Sequence, residues 1–412
     1  MKISIVGAGI SGLLSAFYLA KTGHEIEIYE KSSRAGGLIQ TVYSPLGPLE
    51  NAAASLLNSM EVQALFDELG IDIAKPGPRA GARYIYRDFP RRWPLNLNQS
   101  MQFFYGAARL AFLPGRGLQT GQSVRDWGRR FFGEQASSLL VETALQGVYA
   151  GDAGRMSADL VIGPLLKKTA RAGKINFEKF NFMKTRHKGS AMPDGGMGRL
   201  ISALALHLQN SGVKIHYGVD IKSSDIDLSS PWVIATPITV AGRLLSGMGI
   251  AGAEELRSHE MLDLTSIHLC FENSQLPFEG VGCLFPNGCG FNSLGVLTGK
   301  VAFPDQFNRA VERWFVGGAL AKHISRLPNN ELIELVLADR KALTGKNSVP
   351  NVAHVFANPA ALPHFTDKLA RIRKNLSLPP NLYLLGNYTG GIGLTSIHEQ
   401  CRNMAQRMKT SH

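Results

Sequence analysis

The sequence predicts a combined α/β and α+β fold, with one parallel-sheet domain built from separate chain segments, a second sheet and a helical insertion. Three observations predict this fold. A short apolar strand, a glycine-rich turn and a helix open the chain at residues 2–20 and recur at residues 382–394. Strand and helix patterns alternate over residues 193–237, whereas residues 99–188 have a mainly helical pattern. Strands that alternate with helices are typical of parallel sheets.

The individual elements follow from apolar periodicity and from the turn residues that bound it. The helix at residues 58–69, for example, ends at Gly70. Strands are predicted at residues 2–6, 25–29, 81–86, 213–217, 219–221, 232–237, 264–271, 295–302, 314–316 and 382–385. Helices are predicted at residues 13–20, 58–69, 200–210 and 331–342, and through most of residues 99–188.

The opening stretch has the pattern of a Rossmann-like nucleotide site. The apolar run Lys2–Val6 leads directly into Gly-Ala-Gly-Ile-Ser-Gly at residues 7–12 and then into a helix. In this pattern Gly7 permits the tight turn, Gly9 lets a pyrophosphate approach the backbone, and Gly12 lets the helix pack closely on the strand. The pyrophosphate then lies at the positive N-terminus of the helix.

The residues after this turn bear on which dinucleotide is bound. Glu30 ends the second strand, about twenty residues on, where a carboxylate accepts a hydrogen bond from a ribose hydroxyl. The glycine-rich turn and Glu30 suit NAD and FAD equally. Arg34, Gly36 and Gly37 then offer further close backbone approach to another part of the same cofactor. Because an NAD site has no evident use for these glycines, we expect FAD.

Composition limits the class of protein. A chain of 412 residues with 44% hydrophobic residues can form two or three globular domains. No uninterrupted apolar run of about 18 residues is present, so we expect no transmembrane helix. Because the first strand begins at residue 2, we expect no leader peptide and a cytoplasmic protein. The four cysteines lack the spacing of a zinc site, so neither a metal site nor a disulfide is predicted.

The net charge of +12 suits an anionic partner, which could be nucleic acid, anionic lipid or a polyanionic small molecule. Aromatic residues are not interleaved with the basic ones as nucleic-acid stacking requires, so we expect no nucleic acid. The aromatic run at residues 101–105 suits either a core helix or a membrane-surface patch. A basic run suits either a solvated face or anionic lipid. It comprises Lys167, Lys168, Arg171, Lys174, Lys179, Lys184, Arg186 and Lys188.

Several motifs together resemble the flavin amine oxidase superfamily. They are the turn at residues 7–13, Glu30, Arg34 with Gly36 and Gly37, the Asp-Gly-Gly-Met at residues 194–197, and the Gly-Asn-Tyr-Thr-Gly-Gly-Ile-Gly-Leu at residues 386–394. Three further motifs are similar to the protoporphyrinogen oxidase family within it. These are Gly-Val-Tyr-Ala-Gly-Asp at residues 147–152, Val-Ala-Phe-Pro at residues 301–304 and Pro-His-Phe at residues 363–365. The likeness runs nearly from end to end.

The resemblance implies three kinds of domain. An FAD-binding domain would comprise residues 1–80, 189–262 and 371–412, and a mixed-sheet substrate domain residues 81–98 and 263–370. The helical insertion, residues 99–188, touches the bilayer in membrane-associated members. The implied reaction is oxidation of a porphyrinogen, with O2 or another electron acceptor. The resemblance allows a homodimer, and a protein either free in the cytoplasm or peripheral on the inner face of the cell membrane.

The resemblance also implies site residues. It assigns no catalytic side chain, because the flavin carries the chemistry. Its substrate-binding positions are Arg83, Gly151, Val281 and Leu284. Its FAD-binding positions are Gly7, Ala8, Gly9, Ser11, Gly12, Glu30, Lys31, Arg34, Gly36, Gly37, Leu38, Gly47, Pro48, Ile221, Gly386, Ile392, Gly393 and Leu394.

Two other functions stay open at this point. One is a flavin amine oxidase of the same fold. Many of those enzymes have a lysine near the flavin on the strand that corresponds to residues 264–271, which here reads Leu-Thr-Ser-Ile-His-Leu-Cys-Phe. The other is a non-catalytic FAD-binding scaffold. The sequence also leaves open the choice between protoporphyrinogen and the more carboxylated coproporphyrinogen, since Val281 stands where the family has an aromatic residue.

Overall fold

The computed structural model describes residues 1–112, 117–170, 189–273 and 275–410. The side chains of the basic run at residues 167–188 lie outside the described part of the chain. The strands are β1 (Lys2–Val6), β2 (Glu25–Glu30), β3 (Thr41–Ser44), β4 (Gly47–Glu50), β5 (Leu56–Leu57), β6 (Arg83–Tyr86), β7 (Pro90–Arg91), β8 (Ser190–Ala191), β9 (Lys214–Tyr217), β10 (Trp232–Ile234), β11 (Met261–Phe271), β12 (Gly282–Leu284), β13 (Ser293–Thr298), β14 (Ala310–Gly317), β15 (Val352–Pro363) and β16 (Leu382–Leu384).

The α-helices are α1 (Ile10–Ala20), α2 (Met60–Glu68), α3 (Leu97–Phe112), α4 (Val124–Phe132), α5 (Glu134–Ala136), α6 (Thr143–Tyr149), α7 (Ala158–Val161), α8 (Gly163–Ala170), α9 (Met197–Asn210), α10 (Ile238–Gly247), α11 (Ala253–Arg257), α12 (Gly299–Ala302), α13 (Asn329–Thr344), α14 (Asp367–Asn375) and α15 (Leu394–Thr410). A π-helical segment, Ser137–Glu142, joins α5 to α6.

One sheet is parallel and is assembled from distant parts of the chain. It has five strands in the order β16-β10-β1-β2-β9, and all four pairings are parallel. Strands β1, β10 and β16 are largely apolar runs, as is typical of strands covered on both faces. β10 is fully buried, β1 is buried except at Lys2, and β16 is buried at Leu382 and half-buried at its other two residues. Helices α1, α9 and α15 share one core cluster against it. The predicted discontinuous parallel-sheet fold is confirmed.

The second sheet is mixed. Its seven strands have the order β15-β11-β14-β13-β12-β6-β7. Only the pairing of β6 with β12 is parallel, which brings Arg83 opposite Gly282. Strand β11 lies between β14 and β15 and is buried over residues 265–271, so it forms the centre of this sheet.

Helix α3 has two apolar faces. Gly106 is buried so closely against α4 that a Cβ there would lie 1.9 Å from the Phe131 carbonyl oxygen. Phe103 stacks on Phe132 on the same side, with ring centroids 4.8 Å apart. Other apolar side chains of α3 and of the segment before it are exposed, namely Phe89, Trp93, Leu97, Met101, Phe104, Tyr105 and Phe112. Within the described ranges, no helix combines the length and the hydropathy that crossing a bilayer requires.

One predicted strand is wrong, and another is shorter at its C-terminal end than predicted. Residues 219–221 form no strand, because Gly218 adopts a positive φ of 74° and turns the chain away from β2. Two hydrogen bonds join this turn to the chain at the end of β2, from the Gly218 N–H to the Ser32 carbonyl and from the Val219 N–H to the Glu30 carbonyl. The strand predicted at residues 295–302 ends at Thr298, where helix α12 begins.

Candidate functional site

Three glycines shape the first turn of the parallel sheet. Gly7 has a φ of +101°, and a Cβ there would lie 2.9 Å from the Ala235 carbonyl oxygen. A Cβ on Gly12 would lie 1.9 Å from the Gly7 carbonyl oxygen. In contrast, no atom lies within 4 Å of a Cβ built on Gly9. Gly7 and Gly12 therefore set the backbone, and Gly9 leaves the space above the N-terminus of α1 open.

The acidic residue after β2 is tied to this turn. The Glu30 Oε2 atom accepts a hydrogen bond of 2.7 Å from the Ala8 N–H, and Oε1 accepts from the Ser32 N–H at 2.8 Å. The carboxylate therefore lies at the mouth of the turn, within reach of a nucleotide held there. The neighbouring Lys31 is turned to Asp220, with 3.1 Å between Nζ and Oδ2.

The next glycines extend the backbone surface that begins at residues 7–12, and this extended surface is called the wall below. Gly36 forms a parallel bridge with Gly9. Gly36 and Gly37 both have positive φ values, 108° and 59°, which Cβ-bearing residues rarely adopt. The Arg34 guanidinium holds this loop by donating to the Gly37 carbonyl at 2.9 Å. Together these residues form a second backbone surface beside the N-terminus of α1.

The wall then reaches the other sheet. Asn51 Nδ2 donates to the Leu38 carbonyl at 3.1 Å, so residues 51–54 follow the glycine loop in space. The N-terminus of α15 lies nearby, because the Leu57 N–H donates to Thr395 Oγ1 at 3.3 Å. Gly393, just before α15, is exposed, and no atom lies within 4 Å of a Cβ built there.

The remaining predicted cofactor residues lie in several different parts of the fold. Gly47 and Pro48 lie in the hairpin of β3 and β4, where a Cβ on Gly47 would lie 2.5 Å from Phe307 Cδ1. Ile221 is buried in the core cluster that also contains Val6. Ala8 and Ser11 lie at the N-terminus of α1, and Ile392 and Leu394 lie at that of α15, whereas Gly386 lies just after β16.

The residues present fit an extended dinucleotide such as FAD. Two helix N-termini, each with unpaired backbone N–H groups and a positive partial charge, favour phosphate or a developing negative charge. The open space at Gly9 and Gly393 gives a ligand access to both. The wall between them joins the parallel sheet to the mixed sheet, so one ligand can contact both.

Gly151 follows the end of α6 in a tightly held loop. Ala150 has a positive φ of 50°, and the Asp152 N–H donates to His364 Nε2 at 3.3 Å. His364 is fully buried, and its Nδ1 donates to Glu260 Oε2 at 3.0 Å. Although burial raises the pKa of Glu260, hydrogen bonds from Lys322, His364 and Arg155 lower it to about 2. The carboxylate therefore fixes the His364 tautomer that supports the loop.

Gly151 also borders a cavity of about 540 Å³, a volume typical of small-molecule sites. Three arginines border it as well. Arg125 is paired with Glu142 and Asp152, and Arg129 is paired with Glu134. Arg87 donates to neutral acceptors, the Pro94 carbonyl at 2.7 Å and Gln99 Oε1 at 3.2 Å. Sequence reasoning missed Arg87, although it lies four residues after Arg83.

The other predicted substrate residues, Arg83, Val281 and Leu284, are not part of the lining of this cavity. Arg83 is exposed on β6 and faces Gly282 on β12. Leu284, at the end of β12, packs against α6, where its Cδ2 lies 2.7 Å from a Cβ built on Gly147. Val281 packs at the edge of an apolar cluster that contains Leu49.

A polar face on the mixed sheet was also missed. Ser266, His268 and Arg313 all donate to backbone carbonyls of residues 50–52. Burial lowers the pKa of His268 to about 3, so its ring is neutral near pH 7. Burial also raises the pKa of the Glu50 carboxyl to about 7. The alternation of Ser266 and His268 with apolar residues in β11 was the available signal.

A family model described as flavin containing amine oxidoreductase matches residues 10–401 of the chain. The chain belongs to this family. Mitochondrial protoporphyrinogen oxidase of Nicotiana tabacum is 23% identical over 467 residues, covering 95% of this chain and 92% of the relative. Coproporphyrinogen III oxidase of Bacillus subtilis (strain 168) is 23% identical over 453 residues, covering 97% of this chain and 96% of the relative.

Solved structures share the fold. A protein of Exiguobacterium sp. 255-15, named as a candidate protoporphyrinogen oxidase, has a TM-score of 0.78 and 19% identity, covering 100% of this chain and 99% of the other. A triple mutant of putrescine oxidase has a TM-score of 0.76 and 15% identity, also covering 100% of this chain and 99% of the other. The predicted family resemblance and fold class are confirmed, and this flavin containing amine oxidoreductase is an FAD-dependent oxidoreductase.

Proposed function

We propose that this oxidoreductase converts a porphyrinogen to the porphyrin in haem biosynthesis, with either protoporphyrinogen IX or coproporphyrinogen III as substrate. The conversion removes six electrons and six protons, and therefore takes three two-electron steps. FAD accepts two electrons in each step, and O2 or another acceptor reoxidises it. Relatives named for each of the two substrates align with 95% and 97% of the chain.

The observation that carries the proposal is the cavity beside Gly151 with an arginine at its border. Arg87 has no carboxylate partner within the described residues, so its guanidinium is available to a substrate carboxylate. Porphyrinogens carry several propionate groups, and arginine binds carboxylates through charge-assisted hydrogen bonds. Gly151 borders the cavity and can offer the macrocycle its backbone, and a side chain does not fit there, because a Cβ would lie 2.6 Å from Sδ of the buried Met156.

The protein's own residues position the cofactor and the substrate and take no part in the chemical reaction. Glu260 and His364 hold the loop of Gly151 and Asp152. The helix N-termini of α1 and α15 would hold the anionic parts of FAD. Arg87 and the exposed Arg83 are the cations that would orient propionates at the outer edge.

A fluorescence assay of porphyrin formation tests the proposal. Purified protein with FAD should oxidise a porphyrinogen faster than spontaneous oxidation. Arg87→Gln should raise KM about tenfold or more with little change in kcat, since a charge-assisted hydrogen bond contributes about 1.5 to 3 kcal/mol. Arg83→Gln tests the other predicted carboxylate contact, and the exposed Arg92, which does not line the cavity, provides the control Arg92→Gln.

Two outcomes would overturn the assignment. If porphyrin forms no faster than without protein while an added amine is consumed, the chain is an amine oxidase of this fold. If neither substrate is consumed and FAD stays bound, a non-catalytic role replaces it.

We further propose that the exposed aromatic face of α3 rests on an anionic membrane surface. Its apolar side chains share one region, since Trp93 stacks on Phe104 with ring centroids 5.7 Å apart. Both residues are exposed, Trp93 by 43% and Phe104 by 59%. An amphipathic helix with such residues inserts shallowly into the lipid headgroup region.

Vesicle co-sedimentation tests this second proposal. The double variant Phe104→Ser with Tyr105→Ser should bind anionic vesicles at least tenfold more weakly than the parent chain. Leu206→Ser, which removes a side chain that is 59% exposed on α9, is the matched control and should bind as the parent does. Equal binding of the parent and the double variant would refute the role of α3.

A further inference from the structure

Arg313 is a buried cation in the centre of the mixed sheet. It lies opposite His268 in the pairing of β14 with β11, and the residue is only 7% exposed. Its recorded hydrogen bonds all come from Nη2, which donates to the Asn51 carbonyl at 2.9 Å, to the Ala52 carbonyl and to Ser266 Oγ at 3.5 Å. Nε is buried and has no acceptor within the described residues.

The charge of this arginine is poorly compensated. Its hydrogen-bond acceptors are neutral oxygens, and its guanidinium lies 4.6 Å from the centroid of the uncharged Phe315 ring. His268, opposite it on β11, carries no negative charge. Glu50 is the carboxyl that interacts with it electrostatically. Because burial raises the pKa of Glu50 to about 7, this carboxyl is substantially protonated near neutral pH. An anion bound nearby would therefore be strongly favoured in this weakly screened interior.

The segment that Arg313 holds belongs to the FAD-binding wall. Asn51 donates its side-chain N–H to the Leu38 carbonyl, next to the glycines that bridge to Gly9. The carbonyls of residues 51 and 52 face the sheet. The backbone N–H groups of residues 52–54 find no acceptor within the described part of the chain, so they remain available to a ligand.

We propose that Arg313 stabilises the negative charge that FAD acquires on reduction. Two electrons and one proton convert the oxidised isoalloxazine to an anion, and a second proton would neutralise it. A buried guanidinium behind residues 51–54 favours the anion over both the oxidised and the fully protonated forms. It thereby raises the midpoint potential and keeps the reduced flavin deprotonated. This inference needs FAD alone and does not depend on porphyrinogen as the substrate.

The experiment is a reductive titration of the FAD-bound protein against a reference dye, without any substrate. In Arg313→Met the equilibrium constant for reduction should fall at least tenfold, which is about 30 mV for a two-electron couple. Arg313→Lys, which keeps the charge, should recover most of that loss. The absorbance of the reduced flavin should show protonation at a higher pH in Arg313→Met than in the parent.

Two control variants separate charge from support of the segment. Asn358→Ala removes the 2.7 Å hydrogen bond from Asn358 Nδ2 to Asn51 Oδ1 and leaves the charge unchanged. Arg309→Gln removes an exposed positive charge just before β14 that is paired with Glu272 at 3.8 Å. Both should keep the equilibrium constant within twofold of the parent.

The inference is overturned if Arg313→Met changes the constant less than twofold, or no more than Asn358→Ala does. If Arg313→Met does not retain FAD, the test is made on the parent protein, by measuring the pH at which its reduced flavin is protonated. Its reduced flavin should stay anionic at least one pH unit below the pH at which free reduced FAD is protonated. Protonation at the same pH as free reduced FAD would overturn the inference.

Discussion

Two glycines of the first turn have opposite surroundings, which makes them a matched pair. Gly9→Ala should fold normally, because Gly9 has φ −67° and ψ 175° and its Cβ would meet no atom within 4 Å. The added methyl group would occupy the open space at the N-terminus of α1, so FAD affinity should fall at least tenfold. Fluorescence titration of the apoprotein with FAD measures this change.

Gly12→Ala should instead lose stability. Its Cβ would lie 1.9 Å from the Gly7 carbonyl oxygen, a backbone atom that cannot move without displacing the turn. Overpacking of this kind lowers the free energy of unfolding by about 1 to 3 kcal/mol. Urea unfolding of the two variant apoproteins measures the difference in stability. If the two variants had equal stability and equal FAD affinity, Gly9 would not serve to admit FAD and Gly12 would not serve to let the helix pack closely.

Glu50 should make stability depend on pH. Burial raises its pKa from 4.5 to about 7 in the folded chain, so folding favours the protonated carboxyl. The stability it contributes is fully present below about pH 4.5 and is lost as the pH rises through 7. Between pH 5 and 8 the parent should therefore lose on the order of 3 kcal/mol relative to Glu50→Gln.

The glutamine variant is a close control because the amide can still accept from the Met197 N–H and can donate to Thr41 Oγ1, the two groups that bind Glu50. Urea unfolding of both apoproteins at several pH values measures the difference. Parallel pH profiles would show that Glu50 is ionised throughout.

For individual residues, the sequence predicted contacts within one turn better than contacts between distant parts of the chain. Gly7, Gly9 and Gly12 lie on a strand–turn–helix whose spacing alone defines what each must do. Arg87 and Arg313 could not be found in this way. Their importance comes from a cavity and from a segment more than 260 positions away in the chain, and local patterns contain neither.

Among the elements, helix α13 is fixed to the mixed sheet by a buried ion pair. Arg340 on α13 donates through Nε and Nη2 to both carboxylate oxygens of Glu312 on β14, at 2.9 to 3.1 Å. Arg340→Met should destabilise the chain by about 3 to 5 kcal/mol, because it leaves a buried carboxylate without its partner. Adding Glu312→Gln should recover at least half of this loss.

The recovery is expected because the glutamine removes the unpaired charge and keeps an acceptor for the Trp314 Nε1–H, which donates to Glu312 at 3.0 Å. Urea unfolding of the parent, the single variant and the double variant measures the coupling. A double variant as unstable as Arg340→Met would show that shape, and not charge, fixes the helix.

The sequence predicted most elements of the parallel sheet and missed the longest strand of the mixed one. Strands β1, β10 and β16 are short apolar runs bounded by turn residues, which is a strong signal. Strand β15 contains an internal proline and polar residues, and its pairing with β11 shifts register between Leu262 and Leu264. Its strand conformation comes from pairing with that partner, which local periodicity does not reveal.

For the whole molecule, the candidate FAD site joins segments that are far apart in sequence. Residues 7–12 and 36–39 belong to the parallel sheet and its loops, and residues 51–54 are held by side chains of the mixed sheet. Residues 386–394 lead into α15 near the end of the chain. If FAD fills this candidate site as proposed, it contacts all four segments, and its binding should couple the two sheets.

Hydrogen exchange with and without FAD tests this coupling. At FAD concentrations about a thousandfold above Kd, binding stabilises the folded chain by about 4 kcal/mol. Amide exchange should slow in all four segments, including the unpaired N–H groups of residues 52–54. Helix α13, on the far side of the mixed sheet, should show only the slowing that follows from global stability. Slowing confined to residues 7–12 and 36–39 would mean that FAD does not reach the mixed sheet, and Arg313 would then have no cofactor to act upon.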